Sequence, residues 1–224
     1  MAFAPAVSKA FKSAISDGAG VAAIPWYLSG GIAAANCIAA YQPLRSASYV
    51  ASNQNIKNPG TFDLALDLGT DPLWDASYGW RNNKTGRFAT GITANQTWSV
   101  FIYISISPGG TEDYVIGNTY QGPISIGTRH SSGTKKVFGN GDYILFSNAA
   151  VGTMTLGVSG KTCFLSGNPI ATIGAGTVSG LIYILAITHG LGFGFVGDFY
   201  AASIYDTTIT DAQNLALHNA ALLL

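Results

Sequence analysis

The sequence predicts an all-β fold, an antiparallel sandwich of two sheets, with a helix towards each end of the chain. Three observations predict it. Residues 98–106 alternate in the manner of a strand with one face in the core. Many short strand-like segments follow, separated by clusters of glycine, asparagine and serine. Residues 210–213 have the Ser/Thr-x-x-Glu/Gln pattern with which a capped helix begins.

The first element predicted along the chain is an amphipathic helix over residues 6–17. Val7, Phe11 and Ile15 fall on one helical face, with serines and lysines opposite. Gly18 suits the position just after the end of this helix. We expect this apolar face either to pack on its own domain or to dock on a partner or a second copy of the chain.

The helix and the Gly/Ala-rich stretch after it differ in composition from the rest of the chain. We therefore predict that residues 1–35 form an N-terminal helical arm with a hinge. Residues 36–224 are predicted to form the sandwich domain. Two lysines interrupt the apolar residues of the arm, so it does not have the pattern of a classical signal peptide.

Two apolar segments predict strands at the interior of the domain. Residues 98–106 place tryptophan, valine and isoleucines on one face and serines with Phe101 and Tyr103 on the other, as expected of an inner strand. The segment LIYILAI, residues 181–187, is far shorter than the roughly 18 residues of a membrane span. We predict that it is a strand buried on both faces.

The C-terminal region predicts a closing strand over residues 198–205 and a helix over residues 211–221. The strand is rich in apolar and aromatic residues and lacks proline. At the start of the helix, Thr210 and Gln213 can satisfy free amides of the first turn, and the charge of Asp211 favours the helix dipole.

The composition limits the classes of partner that the chain is expected to bind. The chain has 11 basic and 11 acidic residues, so its net charge is +0, which predicts no nucleic-acid partner and disfavours electrostatic binding to a membrane. Charged residues make up 10% of the chain, against about 25% in typical domains. We therefore expect much of the surface to be covered in an assembly, including a homo-oligomer, or to work outside the cell.

The two cysteines, Cys37 and Cys163, are too few for a disulfide framework or a zinc site. Cys37 lies in the apolar run NCIAAY and is predicted to be a small buried residue. A single disulfide between the two is a possible alternative.

The closing strand and its capped helix together resemble the C-terminal signature of laminin-G-like, concanavalin A-like jelly-roll domains. The matching residues are Gly197, Phe199, Ile204, Tyr205, Asp206, Ile209, Thr210 and Gln213. Residues 37–44 resemble the opening strand of that family, residues 72–91 a hairpin, and residues 97–105 the next strand. The hairpin departs from the family pattern because no phenylalanine precedes Asn82. The resemblance implies an antiparallel jelly-roll β-sandwich over about residues 36–221.

The segments WYLSGGI, residues 26–32, and NCIAAYQP, residues 36–43, together resemble laminin-G-like proteins encoded by bacteriophages and prophages. Glycoside hydrolases on the jelly-roll fold carry acidic residues at alternate positions of one strand. This chain has no such run, and Glu112 is its only glutamate. Its three histidines occur singly, and no Gly-x-Ser-x-Gly motif is present. We therefore predict no catalytic residues and no enzyme activity.

The sequence assigns no metal site and no required cofactor. The family resemblance leaves Ca²⁺ as an alternative, since such domains often bind it through Asp and Asn oxygens. The possible ligands are Asp67, Asp71, Asp75, Asp113, Asn118 and Asp142. No spacing selects among them.

The segment DPLWDASYGW is the candidate ligand-binding site. Trp74, Tyr78 and Trp80 could form aromatic platforms for a sugar, beside the carboxylates of Asp71 and Asp75. The alternative is that the two tryptophans pack in the core or in a hairpin.

These patterns lead to one main hypothesis and two alternatives. The main one is a non-catalytic structural or adhesive protein on a phage virion, as capsid decoration or a tail or fibre component, or on a similar extracellular assembly. The arm would bind the other assembly proteins through Val7, Phe11 and Ile15. The first alternative is a lectin-like module for a cell-surface glycan, with or without calcium. The second is a polysaccharide-acting enzyme. Each places the chain on a virion or an extracellular surface.

Overall fold

The computed structural model of the chain describes residues 23–93, 97–107, 112–117, 125–131, 134–139, 142–144, 152–172, 180–186 and 195–224. Within these ranges the chain forms two antiparallel sheets and two α-helices. The predicted all-β sandwich is therefore confirmed. The predicted helix over residues 6–17, with Val7, Phe11 and Ile15, lies outside the described residues.

Fifteen strands make up the described sandwich. In chain order they are β1 (Cys37–Tyr41), β2 (Ala65–Gly69), β3 (Leu73–Asp75), β4 (Gly79–Asn83), β5 (Gly86–Thr93), β6 (Ser99–Ile106), β7 (Glu112–Gly117), β8 (Ser125–Ser131), β9 (Thr134–Gly139), β10 (Asp142–Ile144), β11 (Gly152–Ser159), β12 (Thr162–Leu165), β13 (Asn168–Thr172), β14 (Leu181–Ile184) and β15 (Val196–Tyr205). The helices are α1 (Tyr49–Ser52) and α2 (Asp211–Ala221), with short 3₁₀ turns at Trp26–Leu28 and Ala34–Asn36.

The strands divide into two sheets that are not contiguous in sequence. Sheet 1 has the order β13-β12-β11-β6-β15-β4-β3, and β1 pairs with β15 beside β4. Sheet 2 has the order β10-β9-β8-β7-β14-β5-β2. In sheet 1, Ile104 of β6 lies opposite Met154 of β11 and Phe199 of β15. This register confirms that residues 98–106 contain an inner strand.

The main core lies between the two sheets. It is formed by inward-facing aromatic and branched side chains of both sheets, among them Trp80, Phe88, Ile102, Ile104 and Phe199, each fully buried. Burying a side chain of this size contributes roughly 1.5–3 kcal/mol to folding. The alternation of β6 thus predicts which of its faces lies in this core.

A second core lies on the opposite face of sheet 1. There α2 and the Trp26–Leu28 turn cover the outer side chains of the strands, including the buried Phe101 and Tyr205. The hydroxyl of Tyr205 donates to the carbonyl of Tyr27 at 2.8 Å, which ties this turn to the sheet. Residues 26–32, which the sequence groups with the N-terminal arm, therefore pack on the sandwich.

The C-terminal helix begins as the sequence predicts. The backbone amide of Thr210 donates to Oε1 of Gln213 at 2.9 Å, and the amide of Gln213 donates to Oγ1 of Thr210 at 3.2 Å. Both halves of the capping box are present, so two amides of the first turn are satisfied.

Two sequence predictions need correction. Residues 181–187 do not form a strand buried on both faces, because Leu181 is 40% exposed while Ile182 and Ile184 are buried. The strand ends at Ile184, since Leu185 has a left-handed backbone with φ of 71°. Residues 72–91 also form more than a hairpin. β3 and β4 pair in sheet 1, whereas β5 lies in sheet 2, so the chain changes sheets between β4 and β5.

Both cysteines are buried thiols, so the structure contains no disulfide between them. Burial raises the pKa of the Cys37 thiol to about 12. Among the described helices, none is long and apolar enough to cross a membrane.

Candidate functional site

A row of tyrosines and charged side chains lies on the outer face of sheet 1, beside the second core. We call it the tyrosine–arginine row, and its members are Arg45, Tyr78, Arg81, Tyr103, Asp198 and Tyr200. They come from the loop after β1, the β3–β4 turn, β4, β6 and β15. The tyrosines are half-buried, and the two arginines are exposed.

Strand alternation explains why these residues share a face. Phe199 points into the main core, so its neighbour Asp198 lies on the outer side. The register of β15 against β6 shifts between Phe199 and Ala201, and this bulge carries the additional residue Tyr200. The ring of Tyr200 reaches the ring of Tyr103, with centroids 4.8 Å apart and an interplanar angle of 54°.

The centre of the row is an ion pair between neighbouring strands. Arg81 lies opposite Asp198 in the β4–β15 register, and its Nε and Nη2 donate to the two carboxylate oxygens at 2.7 and 3.0 Å. The same guanidinium lies over the ring of Tyr78, with Cζ 4.2 Å from the ring centroid. The hydrogen bonds to Asp198 raise the pKa of Arg81 above its ordinary value.

This ion pair leaves hydrogen-bonding groups open to solvent. Two N–H groups of Arg81 are used by Asp198, and a guanidinium carries five. The Arg81 side chain is 52% exposed, whereas that of Asp198 is 16% exposed. The pair therefore presents donors and acceptors on the same sheet face as the rings of Tyr78, Tyr103 and Tyr200.

Arg45 is the member of the row that lies near the C-terminal end of α2. Its Nη1 donates to the carbonyl of Leu223 at 3.3 Å. Burial and the neighbouring Tyr200 raise the pKa of Tyr103, and the charge of Arg45 acts in the opposite direction. The amide of Leu44 donates to the carbonyl of Tyr200 at 3.3 Å, which places the backbone before Arg45 beside the bulge that carries Tyr200.

Gly79 is required where the β3–β4 turn meets β15. Its φ is 70°, and a Cβ at this position would collide with the carbonyl oxygen of Phe199 and lie 3.2 Å from the amide nitrogen of Leu44. Only glycine permits this approach without strain. The turn that carries Tyr78 is therefore held close to the bulge that carries Tyr200.

The structure separates the aromatic residues of the predicted ligand-binding segment. Tyr78 is in the row. Trp80 is fully buried, stacks on Phe199 with centroids 5.5 Å apart, and donates from Nε1 to the hydroxyl of Ser52 at 2.8 Å. Trp74 packs against the main core and donates from Nε1 to the carbonyl of Pro43 at 3.0 Å. For both tryptophans the structure shows the packing alternative rather than an open platform.

The two predicted carboxylates of this segment are exposed, Asp71 in the loop before β3 and Asp75 at the end of β3, and both have local partners. Asp71 accepts a hydrogen bond from the hydroxyl of Tyr49. Asp75 accepts from the amide and the hydroxyl of Ser77, at 2.8 and 2.6 Å, which lowers the pKa of its carboxyl group. Neither belongs to the row.

The possible calcium ligands do not converge in the described part of the chain. Asp67 is paired with Arg87, and Asp71 and Asp75 have the partners just given. The side chains of Asp113, Asn118 and Asp142 lie outside the described residues. Among the described residues, no three His, Cys, Asp or Glu side chains are grouped as metal ligands.

Sequence reasoning did not predict five members of the row. Asp198 is a charged residue within an apolar strand, and Tyr103 interrupts the serines on the outer face of β6. A polar or aromatic residue at such a position indicates a side chain that reaches the outer face of the strand, and both side chains are half-buried there. Their proximity to Arg45 and Arg81 depends on sheet order, which no local pattern encodes.

Comparisons with known proteins show the fold. No protein-family profile and no curated protein sequence matches the chain. Trypanosoma rangeli sialidase in complex with 2,3-difluorosialic acid is similar in structure, with a TM-score of 0.58 and 12% identity over 89% of this chain and 35% of the sialidase. This chain therefore spans about a third of the sialidase's length.

Two toxin binding domains are also similar in structure. The binding domain of Paraclostridial Mosquitocidal Protein 1 has a TM-score of 0.53 and 11% identity, over 84% of this chain and 52% of that domain. The binding domain of Botulinum Neurotoxin DC, solved in complex with SialylT, has a TM-score of 0.52 and 10% identity over the same shares. These likenesses confirm the β-sandwich, while the laminin-G-like and bacteriophage resemblances stay predictions.

The comparisons also correct one prediction. The conclusion that the chain is not an enzyme is wrong as drawn from the sequence, because sialidases are among the proteins that share its fold. The fold is found both in these enzymes and in binding domains. The absence of a carboxylate run therefore does not decide whether the chain is catalytic.

Proposed function

We propose that this chain binds carbohydrate as a lectin-like module, through the tyrosine–arginine row. The observation that carries the proposal is the Arg81–Asp198 ion pair, whose guanidinium lies over Tyr78 and which shares the outer face of sheet 1 with the Tyr103–Tyr200 ring pair. It combines aromatic surface with convergent polar groups, as small-molecule binding sites do.

The chemistry of the row matches the two kinds of surface that a sugar presents. The C–H groups of a pyranose ring are apolar and can lie on the half-buried tyrosine rings. Its hydroxyl groups both donate and accept, and the Arg81–Asp198 pair offers both complements. Because the pair is bidentate, its orientation is fixed before a ligand arrives.

The structural likenesses support the proposal at the level of fold. Two of the similar proteins are binding domains, and one of these was solved in complex with SialylT. The sandwich is thus a scaffold on which recognition of glycans occurs. Which face this chain uses is inferred from its own residues.

A matched pair of variants tests the site. Asp198→Asn removes the carboxylate of the row, and Asp67→Asn makes the same change in the Arg87–Asp67 pair of sheet 2. On a glycan array we expect binding by the wild type and by Asp67→Asn, and a loss of about tenfold or more for Asp198→Asn. Equal losses in both variants, or binding unaffected by Asp198→Asn, would reject the row as the site.

A second candidate function is a structural or adhesive role in a virion or a similar extracellular assembly. Low charge favours it, and so does β2, an edge strand whose five residues are all exposed and include Leu66 and Leu68. In this hypothesis residues 1–20 anchor the chain to its partners. Deleting them should prevent incorporation into purified particles, and unchanged incorporation would reject the anchoring role.

A further inference from the structure

Arg45 is the member of the row whose charge is not neutralised. Arg81 is paired with Asp198, whereas no carboxylate of the described residues lies within ion-pair distance of Arg45. The Arg45 side chain donates a hydrogen bond to the main-chain carbonyl of Leu223. The two arginines and one aspartate leave the row with one net positive charge.

The backbone holds Arg45 in place beside the tyrosines. Its amide donates to the carbonyl of Ala76 at 2.8 Å, and the amide of Leu44 donates to the carbonyl of Tyr200 at 3.3 Å. Its φ is 62°, in the left-handed region that non-glycine residues seldom adopt. Such conformations persist where surrounding bonds impose them, and they cluster at functional sites.

We infer that the row takes an acidic sugar, whose carboxylate pairs with Arg45 while its ring lies against Tyr103 and Tyr200. This inference rests on the proposed function and adds the chemical class of the ligand. Because these backbone bonds place Arg45 beside Tyr200, whose ring contacts that of Tyr103, a carboxylate on the sugar ring can reach the guanidinium while the ring lies on the tyrosines. Hydroxyls on the other side of the ring then face the Arg81–Asp198 pair.

The chemistry of guanidinium favours this assignment. Its planar fork matches a carboxylate, with two parallel N–H···O bonds of the charge-assisted kind. A neutral sugar can use Arg81, Asp198 and the tyrosines, but it offers Arg45 only uncharged oxygens. An acidic sugar also neutralises the net charge of the row.

The test compares acidic oligosaccharides with their own neutral forms. We would use the full chain and a panel of uronic acid-containing and sialic acid-containing oligosaccharides, each beside a copy with its carboxyl group reduced to the alcohol. We expect at least one acidic member to bind about tenfold more tightly than its reduced form. The difference should shrink as salt is raised, because Arg45 is exposed.

Variants assign that difference to Arg45. Arg45→Gln should remove the preference for the acid, so that the acidic and the reduced forms of an oligosaccharide bind the variant with similar affinity. Gln has the same backbone restriction at positive φ, so the change removes charge without altering backbone preference. Lys161→Gln is the matched control, since it removes one exposed positive charge from the β11–β12 turn. We expect Lys161→Gln to keep the preference.

The outcomes separate this inference from the proposed function. Equal binding of acidic and reduced forms would overturn the inference and leave carbohydrate binding in place. A preference for the acid that survives Arg45→Gln would also overturn it, as would a sulfated oligosaccharide bound as tightly as the carboxylated one. Binding to no member of the panel, acidic or neutral, would contradict both. Thermal unfolding of each variant verifies that it is folded.

Discussion

Asn82 is a buried amide at the corner where the chain passes from sheet 1 to sheet 2. Its Nδ2 donates to the carbonyl of Phe195 at 3.1 Å and, at 3.4 Å, to those of Gly86 and Leu185. Its Oδ1 accepts from the hydroxyl of Thr85 at 2.9 Å. One side chain therefore satisfies backbone groups of both sheets.

We predict that Asn82→Ala lowers the free energy of unfolding by about 3 kcal/mol, because it removes all the hydrogen bonds of a buried side chain and leaves a cavity in its place. Urea denaturation measures the change. Asn83→Ala is the control, since Asn83 is the same residue type on the same strand but is exposed. It should stay within about 0.5 kcal/mol of the wild type. Similar costs for the two variants would contradict a special role for Asn82.

Individual residues also show where sequence reasoning stops. The alternation of β6 correctly predicts that Ile102 and Ile104 lie in the core, because burial on one face imposes a period of two. The aromatic segment around Trp74 and Trp80 is compatible with two interpretations, a platform for a ligand and packing in the core. The choice depends on what covers each ring, and that is decided by distant residues such as Ser52 and Phe199.

At the scale of elements, α2 is held by its cap and by the second core beneath it. Leu217 and Ala221 are fully buried against the outer face of sheet 1. This packing is why a helix of 11 residues is stable, since isolated helices of that length are marginal in water. The sequence pattern predicted both ends of α2 because capping chemistry is local.

The cap can be tested separately from the packing. Thr210→Ala removes the hydroxyl that accepts from the amide of Gln213, and it should cost about 1 kcal/mol of stability. Thr208→Ala is the control, because Thr208 is exposed and lies outside the helix. Chemical denaturation of both variants gives the comparison. An equal cost for the two would show that the capping box does not stabilise α2.

The same helix makes stability depend on pH through His218. Its Nδ1 is 2.9 Å from Oγ1 of Thr155, and burial lowers the pKa of its ring. The folded state therefore favours the neutral imidazole, and this stabilisation is complete above the unfolded pKa of about 6.5. It is lost as the pH falls from there through the lowered pKa of the folded state.

We predict that His218→Gln flattens this part of the stability profile. Denaturation midpoints measured between pH 5 and 8 should fall with decreasing pH more steeply for the wild type than for the variant. Parallel profiles would contradict the role given to His218, because the remaining titratable groups are common to both proteins.

Sheet order is the element-scale property that the sequence did not predict. Most strands were visible as apolar segments between turns, including those that form β11, β12 and β13. Their neighbours were not visible, because pairing depends on contacts between distant segments. The sequence predicts a hairpin across β4 and β5, whereas the structure shows a change of sheet between them, at the corner where Asn82 is buried and hydrogen-bonded.

At the scale of the whole molecule, the two faces of sheet 1 have different roles. One face builds the core against sheet 2. The other is divided between the area covered by α2 and the tyrosine–arginine row, which borders it. The row draws on Arg45, Arg81 and Asp198 from separate parts of the chain, so it forms only when the sandwich is complete. A site built in this way leaves no motif in the sequence.

The position of β15 has a consequence for how the protein is made. It pairs with β1, β4 and β6, yet it follows all of them in the chain. During synthesis on the ribosome, the edge of each of these three strands that pairs with β15 therefore stays unpaired until residue 205 has left the exit tunnel. Because such pairings between distant segments form slowly, we expect the chain to be most prone to aggregation before β15 has been made. We expect a chain that is released from the ribosome before β15 has been made to aggregate or to be degraded.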